Sequence, residues 1–119
     1  MHGLTPMQDL QISVLNKYAL SDTLPGVHRV VIMRGTPLGN PFPMKGRSQE
    51  ERDRVCKAYE GWLRDQWRDN GPARAELERL YALAQQGALE LVCCCAPKRC
   101  HGHFVKEALL GMHKQRTKD

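Results

Sequence analysis

No stretch of this sequence is apolar for the roughly 20 residues that a membrane span requires, and residues 1–10 lack the basic start and apolar middle of a secretory signal. The expected location is therefore the cytoplasm. Internal repeats and low-complexity tracts are missing too, which excludes solenoids and repeat arrays. The five cysteines are an odd number, and Cys93, Cys94 and Cys95 stand in a row where they are poor partners for one another. That argues against a disulfide-built secreted domain and for a metal or thiol site. The formal net charge of +5 comes without a basic cluster. The nearest to one is Lys114, Arg116 and Lys118, which reads as a solvated end. The excess favours an anionic partner, a nucleic acid or phosphorylated metabolite, or simply keeps a small protein soluble.

What is present is enough for one ordinary globular domain: 119 residues, 41% hydrophobic and 26% charged. Residues 1–11 read as an N-terminal arm, 12–113 as a single α/β domain and 114–119 as a basic tail. Ile12 to Asn16 alternates as a first strand. His28 to Met33, which contains the run Val30-Val31-Ile32-Met33, reads as a second, of the kind buried on both faces of a sheet. Ser48-Gln49-Glu50-Glu51 is a capping-box pattern, and Val55, Ala58, Tyr59, Trp62 and Leu63 form the core stripe of the helix behind it, expected to reach about Asp69. Asn70-Gly71-Pro72 breaks the chain. Leu77, Leu80, Tyr81 and Ala84 then mark a second helix that ends at Gly87. Leu89 to Cys95 reads as a strand, and a last helix carries Phe104, Val105, Ala108, Leu109 and Met112. The fold expected is a small single-domain sheet with at least two parallel strands and about three helices. Its cysteine strand-loop-helix motif lies at one sheet edge. Helical crossovers between the second and last strands set them parallel and bring their following loops to that edge.

Two loops carry the candidate chemistry. The first, Arg34 to Pro43, holds two glycines and three prolines in ten residues and is a rigid, pre-shaped turn. Gly35 and Gly39 allow close backbone approach, with Thr36 between them. Arg34 offers a planar charge for phosphate or carboxylate, and Asn40 a donor beside an acceptor for the edge of a base. The same residues also suit a purely local role, Arg34 pairing nearby and Asn40 capping its own turn. The second loop follows the last strand, and four of the five cysteines and two histidines fall in the eleven residues from Cys93 to His103. Three chemistries compete there. Cys93, Cys95, Cys100 and His101 have the identities of a zinc site, although C-x-C-x4-C-H is not a common knuckle. Cys95 or Cys100 beside Lys98, Arg99 and a helix start would be an acidified nucleophile, with His101 or His103 moving protons. Lys98 or Arg99 and the helix amides would otherwise hold an anion. Against all three stands plain packing of thiols beneath a proline turn.

Ser13 to Asn16, then Ile32-Met33-Arg34-Gly35-Thr36-Pro37-Leu38-Gly39-Asn40-Pro41-Phe42, then Leu91 to Gly102 together resemble an uncharacterised phage and bacterial family, domain of unknown function 4326, over about residues 12 to 112. The family's second motif, Cys-x-Cys-x-Pro-x-x-Cys-His-Gly, is matched at Cys93, Cys95, Pro97, Cys100, His101 and Gly102. Two departures are Cys94, usually Trp, and His103, often Asp. The second weakens any mechanism needing a carboxylate there. The resemblance implies a small α/β protein, and by genomic association a role near nucleotide or DNA base modification, including 7-deazaguanine pathways. The resulting expectation is a small nucleotide- or nucleobase-processing enzyme. Arg34, Gly35, Thr36, Gly39, Asn40, Lys98 and Arg99 would bind the ligand, and Cys95, Cys100 and His101 would act on it. The alternative is a non-catalytic zinc- or nucleic-acid-binding module.

Overall fold

A computed structural model describes residues 10–94 and 101–117. Three short strands, β1 (Ile12–Asn16), β2 (His28–Val31) and β3 (Leu89–Cys93), form one sheet in the order β1-β3-β2, all parallel. Ile12 pairs with Leu89 on one side of β3 and His28 with Leu89 on the other. The last strand in sequence is thus the centre of the sheet. Its burial follows from that position: Leu89, Leu91, Val92 and Cys93 are each at most 1% exposed.

The helices are α1 (Gln49–Arg68), α2 (Pro72–Gln86) and α3 (His101–Arg116). None among the described residues is long and apolar enough to cross a membrane. Helices α2 and α3 lie on the sheet and α1 lies on both of them. Strand alternation sends Ile12, Val14, Val30, Leu89 and Leu91 to this helical side, where they join Tyr59, Leu77, Leu80, Val105 and Leu109 in the core. Of these, the fully buried aliphatic side chains Leu77, Leu80, Leu89, Leu91, Val105 and Leu109 each contribute roughly 1.5–3 kcal/mol through removal from water, while Val14 and Val30 are partly buried. The opposite face carries Ser13, Arg29, Val31 and Glu90, with Arg29 Nε 2.9 Å from Glu90 Oε1. The expected burial of the second strand on both faces is therefore corrected. Strand β2 ends at Val31, which is 46% exposed, because it is an edge strand with helices on one side only.

Local chemistry sets the helix ends. The Ser48 hydroxyl accepts from Glu51 N–H at 3.1 Å, the first half of the capping box. The second half is not made: Glu51 turns to accept from Lys45 N–H at 2.6 Å and from Arg54 at 2.7 Å. These donors hold its pKa at about 2. Helix α2 starts at Pro72 without a cap from Gly71, and Gln66 of α1 accepts from Ala73 N–H instead. A Cβ at Gly71 would lie 2.2 Å from that Gln66 oxygen, so the glycine makes room for the substitute cap. Helix α3 continues to Arg116, through part of the stretch read as a basic tail, and Arg116 pairs with Glu78 at 2.7 Å.

Candidate functional site

All three strands point the same way, so their C-terminal ends share one edge, where open α/β sheets bind ligands. Asn16 ends β1, Cys93 ends β3 directly opposite it, and the Arg34 loop follows β2. Helix α3 opens at the same edge with His101. The Arg34 loop is thus brought to the same edge as Cys93 and His101, the described residues nearest the second loop, as the parallel pairing of β2 with β3 requires.

His101 is the centre of this arrangement. Its side chain is buried, and Nε2 lies 2.5 Å from the carbonyl of Ile32, just past the end of β2. A carbonyl only accepts, so Nε2 carries the proton, and in the neutral ring the lone pair is on Nδ1. Burial pushes the His101 pKa below its ordinary value of 6.5. The Ile32 carbonyl and the Cys93 thiol oppose that shift, while Arg34 and His103 add to it. The Tyr59 ring meets the imidazole edge-on, with centroids 5.3 Å apart. The result is an oriented, neutral imidazole between Tyr59, Cys93 and the Arg34 loop. Cys93 has no exposed surface, so it does not offer a thiolate to solvent.

The Arg34 loop is held from inside and below. Arg34 donates to the carbonyls of Asn40 at 2.7 Å and Phe42 at 2.8 Å. Asn40 Oδ1 accepts from Phe42 N–H at 2.8 Å. Both side chains therefore fill the local roles the sequence left open. Arg34 retains three of its five N–H donors, whereas Asn40 retains both amide N–H donors and has given one of the two lone pairs of Oδ1 to the turn. Thr36 turns inward, donating from Oγ1 to Met33 O at 2.8 Å. Gly35 takes φ +93, a left-handed conformation that suits glycine. At Gly39 a Cβ would sit 2.4 Å from the Met33 carbonyl, so the loop closes on its own start only because no side chain is there. Buried Tyr59 of α1 donates its hydroxyl to Leu38 O at 2.7 Å and fixes the loop from beneath.

Cys95, Lys98, Arg99 and Cys100 lie outside the described residues, as does the end of the strand expected to reach Cys95; β3 ends at Cys93, and Cys94 is exposed in a bend. Among the described residues no three His, Cys, Asp or Glu side chains are grouped to hold a metal. Sequence reasoning passed over two residues of this edge. Asn16, placed opposite Cys93, donates from Nδ2 to Cys94 O at 3.5 Å and accepts from Tyr18 N–H at 2.9 Å. Its signal was a polar residue at a strand's C-terminal end. Tyr59 was read as core, which it is, but its hydroxyl also joins the core to the loop. No period in the sequence marks that contact.

A protein-family model described as Domain of unknown function (DUF4326) matches residues 17–111. No curated protein and no solved structure matches the chain.

Proposed function

We propose, from the premise that this chain belongs to the DUF4326 family, that it is a small enzyme acting on a nucleotide or nucleobase at the C-terminal edge of its sheet, with neutral His101 as the proton acceptor. The observation that carries this reading is the bond from His101 Nε2 to Ile32 O, which leaves Nδ1 as a base beside the strand ends. Arg34, with three donors to spare, suits a phosphate or carboxylate, and the Asn40 amide suits a carbonyl on a base. The resemblance to phage proteins makes deazapurine nucleotides, and DNA that carries such bases, the first substrates to screen. In that screen, turnover by the wild-type chain should fall about 100-fold or more in His101→Gln with binding retained. No binding of any nucleotide, nucleobase or modified DNA, or unchanged turnover in His101→Gln, would overturn it.

One observation favours a second reading. Metal-bound histidines commonly donate their other ring N–H to a backbone carbonyl, which is the bond His101 makes to Ile32, and Cys93 lies beside the same ring. Cys93, Cys95, Cys100 and His101 would then hold zinc in a non-catalytic nucleic-acid-binding module. Metal analysis of protein purified without a histidine tag decides between them. One equivalent of zinc, lost in both Cys93→Ser and His101→Gln, supports the metal site and removes His101 as a base.

A further inference from the structure

We propose that the free edge of β1 and the adjoining face of α3 form a second binding site, which takes an extended acidic peptide as a fourth strand. The argument starts from where the net charge of +5 resides. Most helical arginines are neutralised in place: Arg54 by Glu51, Arg64 by Glu60, Arg79 by Glu76 and Arg116 by Glu78. Lys106 and Lys114 of α3 take part in no ion pair among the described residues. Both line a cavity of about 700 Å³ between α3 and the start of β1, together with His113, and no Asp or Glu among the described residues lines it. Its apolar surface comes from Leu10, Ile12 and Leu110, the last 37% exposed.

The strand supplies the second half of the argument. The Gln11 carbonyl accepts from Leu89 N–H at 2.8 Å and so faces β3. Backbone groups alternate along a strand, so the N–H and C=O of Ile12 and Val14 face away from the sheet. Strand β1 is the edge strand there, and no strand among the described residues pairs with those groups. An unpaired edge beside an apolar floor, rimmed by lysines, matches the strand-addition mode of peptide recognition. Nucleic acid fits less well, because no Phe, Tyr or Trp lines the cavity to stack a base. A further cavity, about 520 Å³ between α1 and α3, is rimmed by Glu60, Glu107 and Arg64, and two carboxylates against one guanidinium do not attract an acidic peptide. The β1 site lies apart from His101 and does not depend on its role.

The test is fluorescence anisotropy of the full chain with a labelled short peptide alternating glutamate and valine. Three competitors accompany it: the lysine-valine counterpart, a glutamate-valine peptide with every second amide N-methylated, and a single-stranded oligonucleotide of equal charge. The acidic peptide should bind, the first two competitors should fail, and Lys106→Glu/Lys114→Glu should weaken binding about tenfold or more. Exposed Lys114→Glu alone should give part of that loss without altering the fold. Equal binding of the N-methylated peptide overturns strand addition. Stronger competition by the oligonucleotide reassigns the site to nucleic acid, and absence of peptide binding rejects the proposal.

Discussion

Replacing Tyr59 by Phe removes one oxygen atom and leaves the ring where it packs. The hydroxyl donates to Leu38 O at 2.7 Å, and both residues are 0% exposed. The Leu38 carbonyl would be left buried without its donor, at a cost of about 1–2 kcal/mol. With an unfolding entropy of about 2.1 cal/mol/K per residue, a chain of 119 residues has roughly 250 cal/mol/K, so Tm should fall by about 4–8 °C. Urea denaturation should give the same loss in free energy at an unchanged m-value, and the amide resonances of Leu38, Gly39 and Asn40 should shift most. Tyr59→Leu separates the two jobs of the side chain. It also removes the ring against His101, and should let the imidazole pKa rise toward 6.5 as water enters, whereas Tyr59→Phe should leave it in place. A Tyr59→Phe protein with wild-type stability and unmoved loop resonances would refute the claim that α1 holds the loop.

Because burial lowers the His101 pKa, the folded state binds fewer protons than the unfolded one just below pH 6.5. Its contribution to stability is full above that value and is lost as pH falls through the window beneath it, so the stability difference between wild type and His101→Asn should shrink on acidification in paired urea melts. Glu51 acts lower on the scale: with its pKa at about 2 against an ordinary 4.5, its contribution is present above 4.5 and is lost as pH falls toward 2. Glu51→Gln should therefore show a shallower acid transition by circular dichroism. The glycines should divide by site. Gly39→Ala forces a Cβ against the Met33 carbonyl and should destabilise by roughly 1–3 kcal/mol, whereas Gly61→Ala, in open space within α1, should stabilise by about 0.5–1 kcal/mol. Thermal melts of the two variants check both signs.

The architecture was legible because its signals are periodic. Ile12–Asn16 and the stripe from Val55 to Leu63 are repeats of two and 3.6, and Gly87 is a stop. The parallel pairing of β2 with β3 followed from the helices between them. Strand position was not legible. Val30 to Met33 is apolar enough for a central strand, and only the topology makes it an edge, with Val31 facing outward. Nor does a pattern in one segment say where a side chain will find its partner. Glu51 stands where a capping box puts its second member, yet its carboxylate accepts from Lys45 N–H and from the charged Arg54 guanidinium instead.

The candidate site shows the same division. Residue types are read from sequence, but the atoms they have left to offer are read only from their bonds. Arg34 and Asn40 have the chemistry of ligand binders, and in the fold each first binds its own loop. A glycine- and proline-rich turn at a strand end has few ladder bonds, so its shape must come from side chains such as these. That use does not compete with ligand binding for Arg34, whose guanidinium has donors on more than one edge. It does compete for Asn40, which has given one lone pair of Oδ1 to Phe42 N–H and enters a complex chiefly through its two amide N–H donors. A ligand meeting this loop should therefore present acceptors to both residues, a phosphate or carboxylate to Arg34 and a carbonyl to Asn40. An otherwise identical base bearing an amino group in place of that carbonyl should bind more weakly by about tenfold or more, since the Asn40 donor would face another donor. Asn40→Asp, whose carboxylate can still accept from Phe42 N–H, should reverse the preference. Equal affinity for the two bases in both proteins would remove Asn40 from the site and leave it as a turn cap alone.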